Sequence, residues 1–485
     1  MNPDPRTRLA RIGSAVRRAG LVAGPLAMTA FVLLAGQGIG TDARVVLGMA
    51  LWMALWWMSE AVPLAVTSLL PLVILPLFTS LGFAAASAPY ASNVVYLFMG
   101  GFMLGLAMQR WGLHRRIALA MLVAMGSGQR QLIAGFMLAT ALLSMWLSNT
   151  ATMMMLAPIG LSVVQTWREE RAPANATDGF AAALMLGIAY AASIGGMATP
   201  IGTPPNLVMA GFMRAHYSMD ITMLQWLRVG LPVVLILLPL TWLWLCFGAF
   251  RLGNGQFAGG RQALRIRLRD LGPAGSAEWR VGAVFALVAG GWVLRPQLAL
   301  WLNLPGLDDA LIALLGAMAL FILPAGDADG TRLLDWNTAR GLPWDILLLF
   351  GGGLSLAAAI TSSGADVPIA ALIGKLGELG PGSMMVLLAA VIVFSGELTS
   401  NTAAASAIMP ILAVVCTASG LEPLPVFMVA TLSASCGFML PVATPPNAIA
   451  YGSGCVPLGA MIRAGFGLNL LGILVVVGYV WFIAF

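Results

Sequence analysis

Long apolar runs separated by short polar breaks make up most of this chain. A membrane-spanning helix needs about 20 predominantly apolar residues, and eleven runs approach or reach that length. The pattern predicts an all-α polytopic membrane protein with about eleven transmembrane helices. The predicted spans are 19–38, 44–59, 62–79, 92–109, 179–198, 229–250, 279–296, 308–324, 343–362, 425–442 and 463–485.

Two further apolar segments, 131–167 and 381–419, are each interrupted near the middle by the tripeptide Ser-Asn-Thr. The copies are 148–150 and 400–402. A polar tripeptide inside an apolar segment is costly in hydrocarbon unless it is paired or coordinates something. A turn between two full spans, with the asparagine capping a helix, explains either copy alone. Because the tripeptide occurs twice, we interpret both segments as extra hairpins with a polar tip.

Each tripeptide is followed at a distance by the motif Thr-Pro-Pro-Asn, at 203–206 and at 444–447. Proline removes a backbone donor and disfavours helix in the residue before it, so neither helix can continue through its motif. Non-helical backbone at membrane depth is tolerated only where it is buried in protein or lines a water-filled cavity. A simple proline kink explains one motif alone, but it does not explain why both motifs accompany the same tripeptide. We therefore predict two broken helices that contribute to one site.

The segments 96–104 and 348–356 also resemble each other, and they lie at equal distances ahead of the two tripeptides. Gly100 is 48 residues before Ser148, and Gly352 is 48 residues before Ser400. Five predicted spans, the fourth to the eighth, lie between the start of the first copy and the start of the second, so the second copy starts from the opposite face of the membrane. This order predicts an inverted-topology repeat, which is common in secondary transporters and places binding sites near the bilayer midplane. Gene duplication without transport is the alternative, and it explains the matched polar and proline breaks less well.

Composition agrees with a membrane location. Of the 485 residues, 60% are hydrophobic and 9% are charged, which excludes an ordinary soluble globular protein. The net charge of +6 does not indicate a nucleic-acid partner, because the basic residues mostly flank apolar runs. With the N-terminus inside, twenty basic residues fall on the cytoplasmic side and five on the other, as the positive-inside rule requires. We predict a cytoplasmic N-terminus and an outside C-terminus, and the compact loops favour a bacterial inner membrane.

The polar breaks offer ligands for both a cation and an anion. Amide oxygens, hydroxyls and freed backbone carbonyls suit a hard cation, whereas N–H and O–H donors near helix N-termini suit a carboxylate or sulfate. No buried Lys or Arg is available to neutralise an anion, which favours coupling to bound cations. Glu397 is the deepest acidic candidate; cation or proton binding and a capping or salt-bridge role both stay open for it. The four cysteines and two histidines lack metal-site spacing.

At these motifs the sequence resembles the divalent anion:sodium symporter family, over essentially the whole chain after its N-terminal tail. The resemblance implies re-entrant hairpins tipped by the tripeptides, and two or more coupling sodium ions. It implies a first sodium site formed by Ser144, Ser148, Asn149 and Gly202, and a second formed by Gly396, Thr399, Asn401 and Ala443. It implies that the substrate contacts Asn149, Thr150, Thr203, Asn401, Thr402, Thr444 and Pro445. Family members often have Thr where this chain has Gly396, so a side-chain oxygen is lost there.

The family further implies a homodimer in the lipid bilayer that works by an elevator-type motion. Its scaffold would comprise 19–130 and 281–380, and its mobile transport part would comprise 131–250 and 381–485. The remaining segments would be a cytoplasmic tail, 1–18, and an Arg-rich cytoplasmic connector, 251–280.

The leading functional hypothesis is sodium-coupled symport of a C4-dicarboxylate such as succinate, malate or fumarate. The branched side chain of Thr203 favours a dicarboxylate over the bulkier citrate. Uniport or exchange of dicarboxylates, and sodium-coupled transport of sulfate or citrate, remain alternatives. A membrane-embedded enzyme would need a nucleophile, metal cluster or acid–base pair, and no such arrangement stands out. A receptor or scaffold would not need two matched helix breaks.

Overall fold

The computed structural model is all-helical in the residues that it describes. These are residues 5–484, apart from 36–37, 127, 170–178, 254–257, 328–329 and 369–379; the side chains of 5–16, 258–261, 263 and 418 are also outside the description. Within this part of the chain, Pro324 and Arg332 form an isolated antiparallel β-bridge.

Twelve helices precede the Arg-rich connector in the described part. They are α1 (Pro5–Leu34), α2 (Thr41–Ser59), α3 (Leu64–Thr67), α4 (Leu70–Phe78), α5 (Phe83–Ser87), α6 (Asn93–Arg110), α7 (Leu113–Ala124), α8 (Gln129–Ser144), α9 (Asn149–Glu169), α10 (Gly179–Gly196), α11 (Pro204–Tyr217) and α12 (Met223–Leu243). A 3₁₀ turn, Ala88–Ala91, leads into α6, and a π-helical segment, Trp244–Ala249, continues α12.

Eleven more helices follow in the described part. They are α13 (Ala258–Asp270), α14 (Ser276–Val293), α15 (Arg295–Trp301), α16 (Asp309–Ile322), α17 (Trp336–Ala339), α18 (Trp344–Ser363), α19 (Pro381–Gly396), α20 (Asn401–Ser419), α21 (Pro423–Ala434), α22 (Pro445–Gly452) and α23 (Leu458–Ala484).

Six stretches of helix in the described residues are long and apolar enough to cross a membrane. They are Arg17–Leu34, Phe83–Arg110, Gly179–Gly196, Met223–Ala249, Trp344–Ser363 and Leu458–Ala484. The pair α14 and α15 would make a seventh span, although its two helices are bent by 84°. The prediction of an all-α polytopic membrane protein is therefore confirmed at this level.

Some predicted elements differ in the structure. The span predicted at 62–79 is divided into α3 and α4 at Ser68, whose carbonyl accepts a hydrogen bond from the Tyr90 hydroxyl. The span predicted at 425–442 is helical only to Ala434, because Gly437 and Pro441 follow and proline cannot supply the donor that a helix requires. The connector 251–280 contains the helix α13 as well as irregular chain.

The two halves of the chain interlock around α10. This helix is the most buried candidate span, with 94% of its residues inside the protein, and it packs against the hairpin helices α8 and α9. The short helix α11, which follows the first Thr-Pro-Pro motif, packs against α20 and α21 of the second half. In return, the short helix α22 packs against α9 and α10 of the first half. This exchange places both helix breaks beside both hairpin tips.

Candidate substrate and cation site

A single cavity of about 720 Å³ gathers the motifs that the sequence singled out. Both Ser-Asn-Thr tips and both Thr-Pro-Pro segments line it. All seven residues predicted to contact substrate are in its wall: Asn149, Thr150, Thr203, Asn401, Thr402, Thr444 and Pro445. Residues more than 200 positions apart in the chain are therefore brought together as expected, and Ser148 and Ser400 join them.

Each hairpin tip starts a helix at its asparagine. Helix α9 begins at Asn149, where the Ser148 hydroxyl accepts from the Ala151 N–H at 3.2 Å and the Ser148 carbonyl accepts from the Thr152 N–H at 3.0 Å. Helix α20 begins at Asn401, and the Ser400 carbonyl accepts from the Ala404 N–H at 2.9 Å. The first N–H groups of a helix have no partner within it, so each tip offers donors to an anion at the cavity wall.

The two helix breaks have nearly the same backbone. Thr203 precedes α11 with φ −143° and ψ 142°, and Thr444 precedes α22 with φ −144° and ψ 149°. Two prolines occupy the first turn of each helix, where a missing N–H costs nothing and the fixed φ already suits a helix. The two threonines differ in capping: the Thr444 hydroxyl accepts from the Asn447 N–H, whereas the Thr203 side chain makes no capping bond.

A buried asparagine ties each break together in the same way. The Asn206 amide donates to the carbonyls of Gly196 at 3.1 Å and Thr199 at 2.8 Å. The Asn447 amide donates to the carbonyls of Gly437 and Leu440, both at 3.1 Å. In both copies the acceptors lie ten and seven residues before the asparagine, and both asparagines are fully buried. Both asparagines belong to the repeated Thr-Pro-Pro-Asn motif, but the motif alone does not indicate this bonding role.

Oxygen atoms converge on the amide of Asn149 behind the first tip. One terminal atom of this amide lies 2.7 Å from the Ser144 hydroxyl, 3.0 Å from the Ala192 carbonyl oxygen and 3.3 Å from the Gly202 carbonyl oxygen. Ser144 is fully buried, and its hydroxyl also donates to the Ala192 carbonyl at 2.7 Å. Three of the four residues predicted for the first sodium site thus meet here, with Ser148 at the adjoining turn. The Ala192 carbonyl is an addition that the sequence did not indicate.

The second tip has a comparable but more open arrangement. The Asn401 side-chain oxygen is buried and has no hydrogen-bond partner among the described residues. Gly396 and Gly437 lie beside it, since a methyl group built on either would lie 3.7 Å or 3.6 Å from this oxygen. Ala443 lies next to Gly437, with its methyl 3.2 Å from a methyl built on that glycine. Thr399, the remaining residue predicted for the second sodium site, instead donates its hydroxyl to the Ser395 carbonyl at 3.2 Å.

Glu397 lies behind the second break and not in the cavity wall. Its carboxylate accepts from the backbone N–H groups of Phe438, Met439 and Leu440 at 2.8–2.9 Å, and from the Asn469 amide at 2.7 Å. No basic side chain pairs with it in the described part of the chain. Of the two open interpretations, the geometry favours capping of a backbone turn.

The opening of the cavity carries two acidic side chains that the sequence did not place in the site. Glu60 and Asp345 both line the cavity and are exposed. Glu60 pairs with Arg17 at 3.1 Å. They are the only charged lining residues among those described, so the wall itself supplies no positive charge for an anion. Phe102, Ile201 and Leu349 provide apolar wall.

An all-helical membrane fold with two polar hairpin tips and two helix breaks around one cavity defines a membrane transporter. The family described as the sodium:sulfate symporter transmembrane region matches residues 17–485. The chain belongs to this family, which confirms the resemblance found in the sequence, and it is a transporter and not an enzyme.

Named relatives cover nearly the whole chain. A sodium-dependent dicarboxylate transporter, SdcS, of Staphylococcus saprophyticus is 38% identical over 470 residues, which are 96% of this chain and 91% of the relative. SdcS of Staphylococcus aureus strain USA300 is 38% identical over 476 residues, with 97% and 92% covered. Among solved structures, the YdaH transporter of Alcanivorax borkumensis shares the fold, with TM-score 0.55, 16% identity and coverage of 81% and 84%.

Proposed function

We propose that this protein imports C4-dicarboxylates such as succinate, malate or fumarate together with sodium ions. The observation that carries the proposal is the cavity in which both asparagine-tipped hairpins meet both Thr-Pro-Pro breaks. The names of the SdcS relatives, which cover nearly the whole chain, support the same substrate class and the same coupling ion.

The anion is held by hydrogen-bond donors. The free N–H groups that begin α9 and α20 face one carboxylate each, assisted by the hydroxyls of Thr150 and Thr402. The Thr203 hydroxyl makes no capping bond to α11 and is free to donate. The Thr444 hydroxyl accepts from the Asn447 N–H at 3.3 Å and keeps its proton for the substrate. Two donor sets on opposite walls suit a molecule with a carboxylate at each end.

Sodium ions occupy the oxygen clusters behind the two asparagines. At the first cluster, the Asn149 amide oxygen accepts from the Ser144 hydroxyl at 2.7 Å and faces the carbonyl oxygens of Ala192 and Gly202. Oxygen atoms are the ligands that a hard cation requires, so a sodium ion fits this position. At the second cluster, the unpaired Asn401 oxygen already faces the position that a cation would take. Ser144, Ser148, Gly202, Gly396, Thr399 and Ala443 complete the two proposed sites.

The charges in the cavity wall explain why anion binding depends on sodium. The two carboxylates that line the cavity repel a dianion, and the described wall contains no basic group to offset them. Two sodium ions behind the hairpin tips reverse the sign of the field at the anion site. Gly202 and Thr203 are consecutive, so a cation held by the Gly202 carbonyl also fixes the neighbouring hydroxyl that contacts the anion.

We extend the proposal to the architecture around the site. The chain would cross a bacterial inner membrane eleven times, with two re-entrant hairpins, an inverted-topology repeat, a cytoplasmic N-terminus and an outside C-terminus. Two copies would associate through their scaffold parts, and each transport part would move as an elevator. The matched breaks and the reciprocal packing of α11 and α22 support the repeat.

Uptake of radiolabelled succinate into proteoliposomes tests the function. We expect accumulation under an inward sodium gradient and none when potassium replaces sodium at equal ionic strength. Malate, fumarate, citrate and sulfate compete in parallel samples, and the first two should inhibit most strongly. Equal uptake without sodium would replace symport by exchange or uniport, and preferential inhibition by sulfate or citrate would change the substrate class.

A further inference from the structure

A cluster of charged side chains joins the end of α11 that is remote from the cavity to the helices α15 and α16. We call it the distal cluster; its members are Arg214, Asp220, Arg295, Asp308 and Asp309. Helix α11 starts in the cavity wall at Pro204, and Arg214 is ten residues further on. At 1.5 Å per residue this separation is about 15 Å.

The contacts in the distal cluster form a continuous chain. Asp220 pairs with Arg295 at 2.9 Å, and Arg295 pairs with Asp309 at 3.4 Å. Arg214 lies 3.5 Å from Asp220 and 3.9 Å from Asp308. Asp309, whose side chain is only 8% exposed, also accepts from the Met223 N–H at 2.9 Å. A nearly buried carboxylate with an arginine and a backbone donor is a specific arrangement and not a chance surface pair.

These bonds connect two different parts of the chain. Arg214, Asp220 and Met223 belong to the segment that carries the first helix break. Arg295, Asp308 and Asp309 belong to α15 and α16, which pack on α14 and α6. A hydrogen bond also connects the end of α11 to α18. A ring nitrogen of His216 lies 3.1 Å from the hydroxyl of Thr361.

The contacts lie at the face of the protein opposite the cavity opening. Asp345 at the start of α18 is exposed at that opening, whereas Thr361 is sixteen residues further along the same helix. This separation corresponds to about 24 Å. The cavity is therefore open at one end of α18, while polar contacts hold α11 to its neighbours at the other end.

The other short helix has no equivalent cluster. Helix α22 ends at Gly452, and the residues that follow, 453–457, are uncharged. No ion pair involves this segment in the described residues. Among the described residues, ion pairs therefore occur at the end of α11 but not at the end of α22, although the two helix breaks have nearly the same backbone.

We propose that the distal cluster is a gate that closes the face opposite the cavity opening and favours the conformation with the cavity open at the Glu60 and Asp345 side. The inference rests on the proposed transport function, because a transporter must expose its site to each face in turn. Opening the closed face separates Asp220 from Arg295 and Met223 from Asp309. Neutralising either member of the Asp220–Arg295 pair shifts the population towards a cavity open at the distal face.

Cysteine labelling measures this population directly. Val442 lines the cavity and is 72% exposed, so the variant V442C in a C455S background reports access to the site. A membrane-impermeant maleimide is applied from each side, in vesicles of the two orientations. We expect labelling mainly from the Glu60 and Asp345 side. The variants D220N and R295Q should raise labelling from the distal side about fivefold or more.

The matched control is D42N. Asp42 is a half-buried aspartate whose oxygen accepts from the Ser80 N–H at 3.0 Å, and none of its hydrogen bonds or ion pairs among the described residues involves the distal cluster. We expect D42N to leave the labelling ratio unchanged. Equal labelling ratios in D220N, R295Q and D42N, with all three proteins folded, would overturn the gate.

A cross-linking experiment tests the same gate by holding it closed. The double variant D220C/R295C, bridged by a reducible bifunctional thiol reagent, should lose succinate uptake and regain it on reduction. Full uptake in the bridged protein would also overturn the gate. Labelling requires neither succinate nor sodium, so a failure of the proposed substrate or coupling would leave the labelling result interpretable.

Discussion

The two helix breaks have the same backbone but are attached to their hairpins by different chemistry. In the first half, the Thr199 hydroxyl of the break donates to the Met145 carbonyl of the hairpin. The Trp226 indole of α12 also donates to the Met197 carbonyl of the break at 3.0 Å. In the second half, one buried carboxylate, Glu397, accepts three N–H groups from the break and one from Asn469.

The residues responsible occupy equivalent positions. Met145 lies four residues before Asn149, and Glu397 lies four residues before Asn401. In the first half, side chains donate to backbone carbonyls; in the second half, a side chain accepts from backbone N–H groups. The asparagines of the Thr-Pro-Pro-Asn motifs are shared by both halves. The asparagine bonds therefore hold both breaks in the same shape. In both halves the hairpin accepts from the break, through a backbone carbonyl in the first half and through a side-chain carboxylate in the second.

The largest expected effect is that of E397A. Removing the carboxylate leaves the N–H groups of Met439 and Leu440 and the Asn469 amide without an acceptor, whereas the Phe438 N–H keeps the Asn469 oxygen at 3.2 Å. We therefore expect a loss of about 3–5 kcal/mol in stability and of all sodium-driven uptake. Thermal unfolding in detergent and succinate uptake measure the two effects. The equivalent variant M145A removes only half-buried apolar surface and should cost about 1 kcal/mol. Equal stability of the two variants would contradict the asymmetry.

The positions of the two helix breaks could be predicted from the sequence, but the hydrogen bonds that stabilise them could not. The proline pairs fix where α11 and α22 begin, and the repeated tripeptide fixes where α9 and α20 begin, because these residues impose local geometry. The carbonyl of Ala192 and the N–H groups of 438–440 are chemically the same as any other backbone group. Only the three-dimensional path of the chain shows that they point into a site.

Two features were within reach of the sequence but were not recognised. The asparagines Asn206 and Asn447 recur at the same place in both motifs, which was a signal for a shared role. Glu60 directly follows the predicted span 44–59 and Asp345 lies near the start of the predicted span 343–362, but their convergence on one opening depends on the packing of α2 and α18. The early end of α21 at Ala434 was missed because apolar residues continue beyond it to Val442.

The next largest effect concerns the feature that both halves share. N206L and N447L each remove two hydrogen bonds to backbone carbonyls while conserving approximate side-chain size. We expect each variant to lose about 1–3 kcal/mol in stability, with similar losses in the two halves. Thermal unfolding in detergent compares them. A large loss in one variant and none in the other would show that the asparagine bonds are not equivalent.

A smaller effect is expected from adding a methyl group beside each cation cluster, and its size should differ between the two clusters. A methyl group on Gly196 would lie 2.7 Å from the Asn149 amide oxygen and 3.0 Å from the Gly202 carbonyl oxygen. A methyl group on Gly437 would have its nearest neighbour, the Ala443 methyl, at 3.2 Å. We expect G196A to raise the sodium concentration for half-maximal uptake about tenfold, and G437A about twofold. Equal shifts would indicate that the first cluster is no tighter than the second.

The dependence of succinate uptake on sodium concentration tests the central claim most directly, which is that each half contributes one cation cluster to one shared anion site. In proteoliposomes we expect wild-type uptake to rise cooperatively, with a Hill coefficient between about 1.5 and 2. N149A and N401A, confirmed as folded by their thermal unfolding, should each lower the coefficient to about 1 and raise the half-maximal sodium concentration. Unchanged, cooperative sodium curves in both variants would contradict the account.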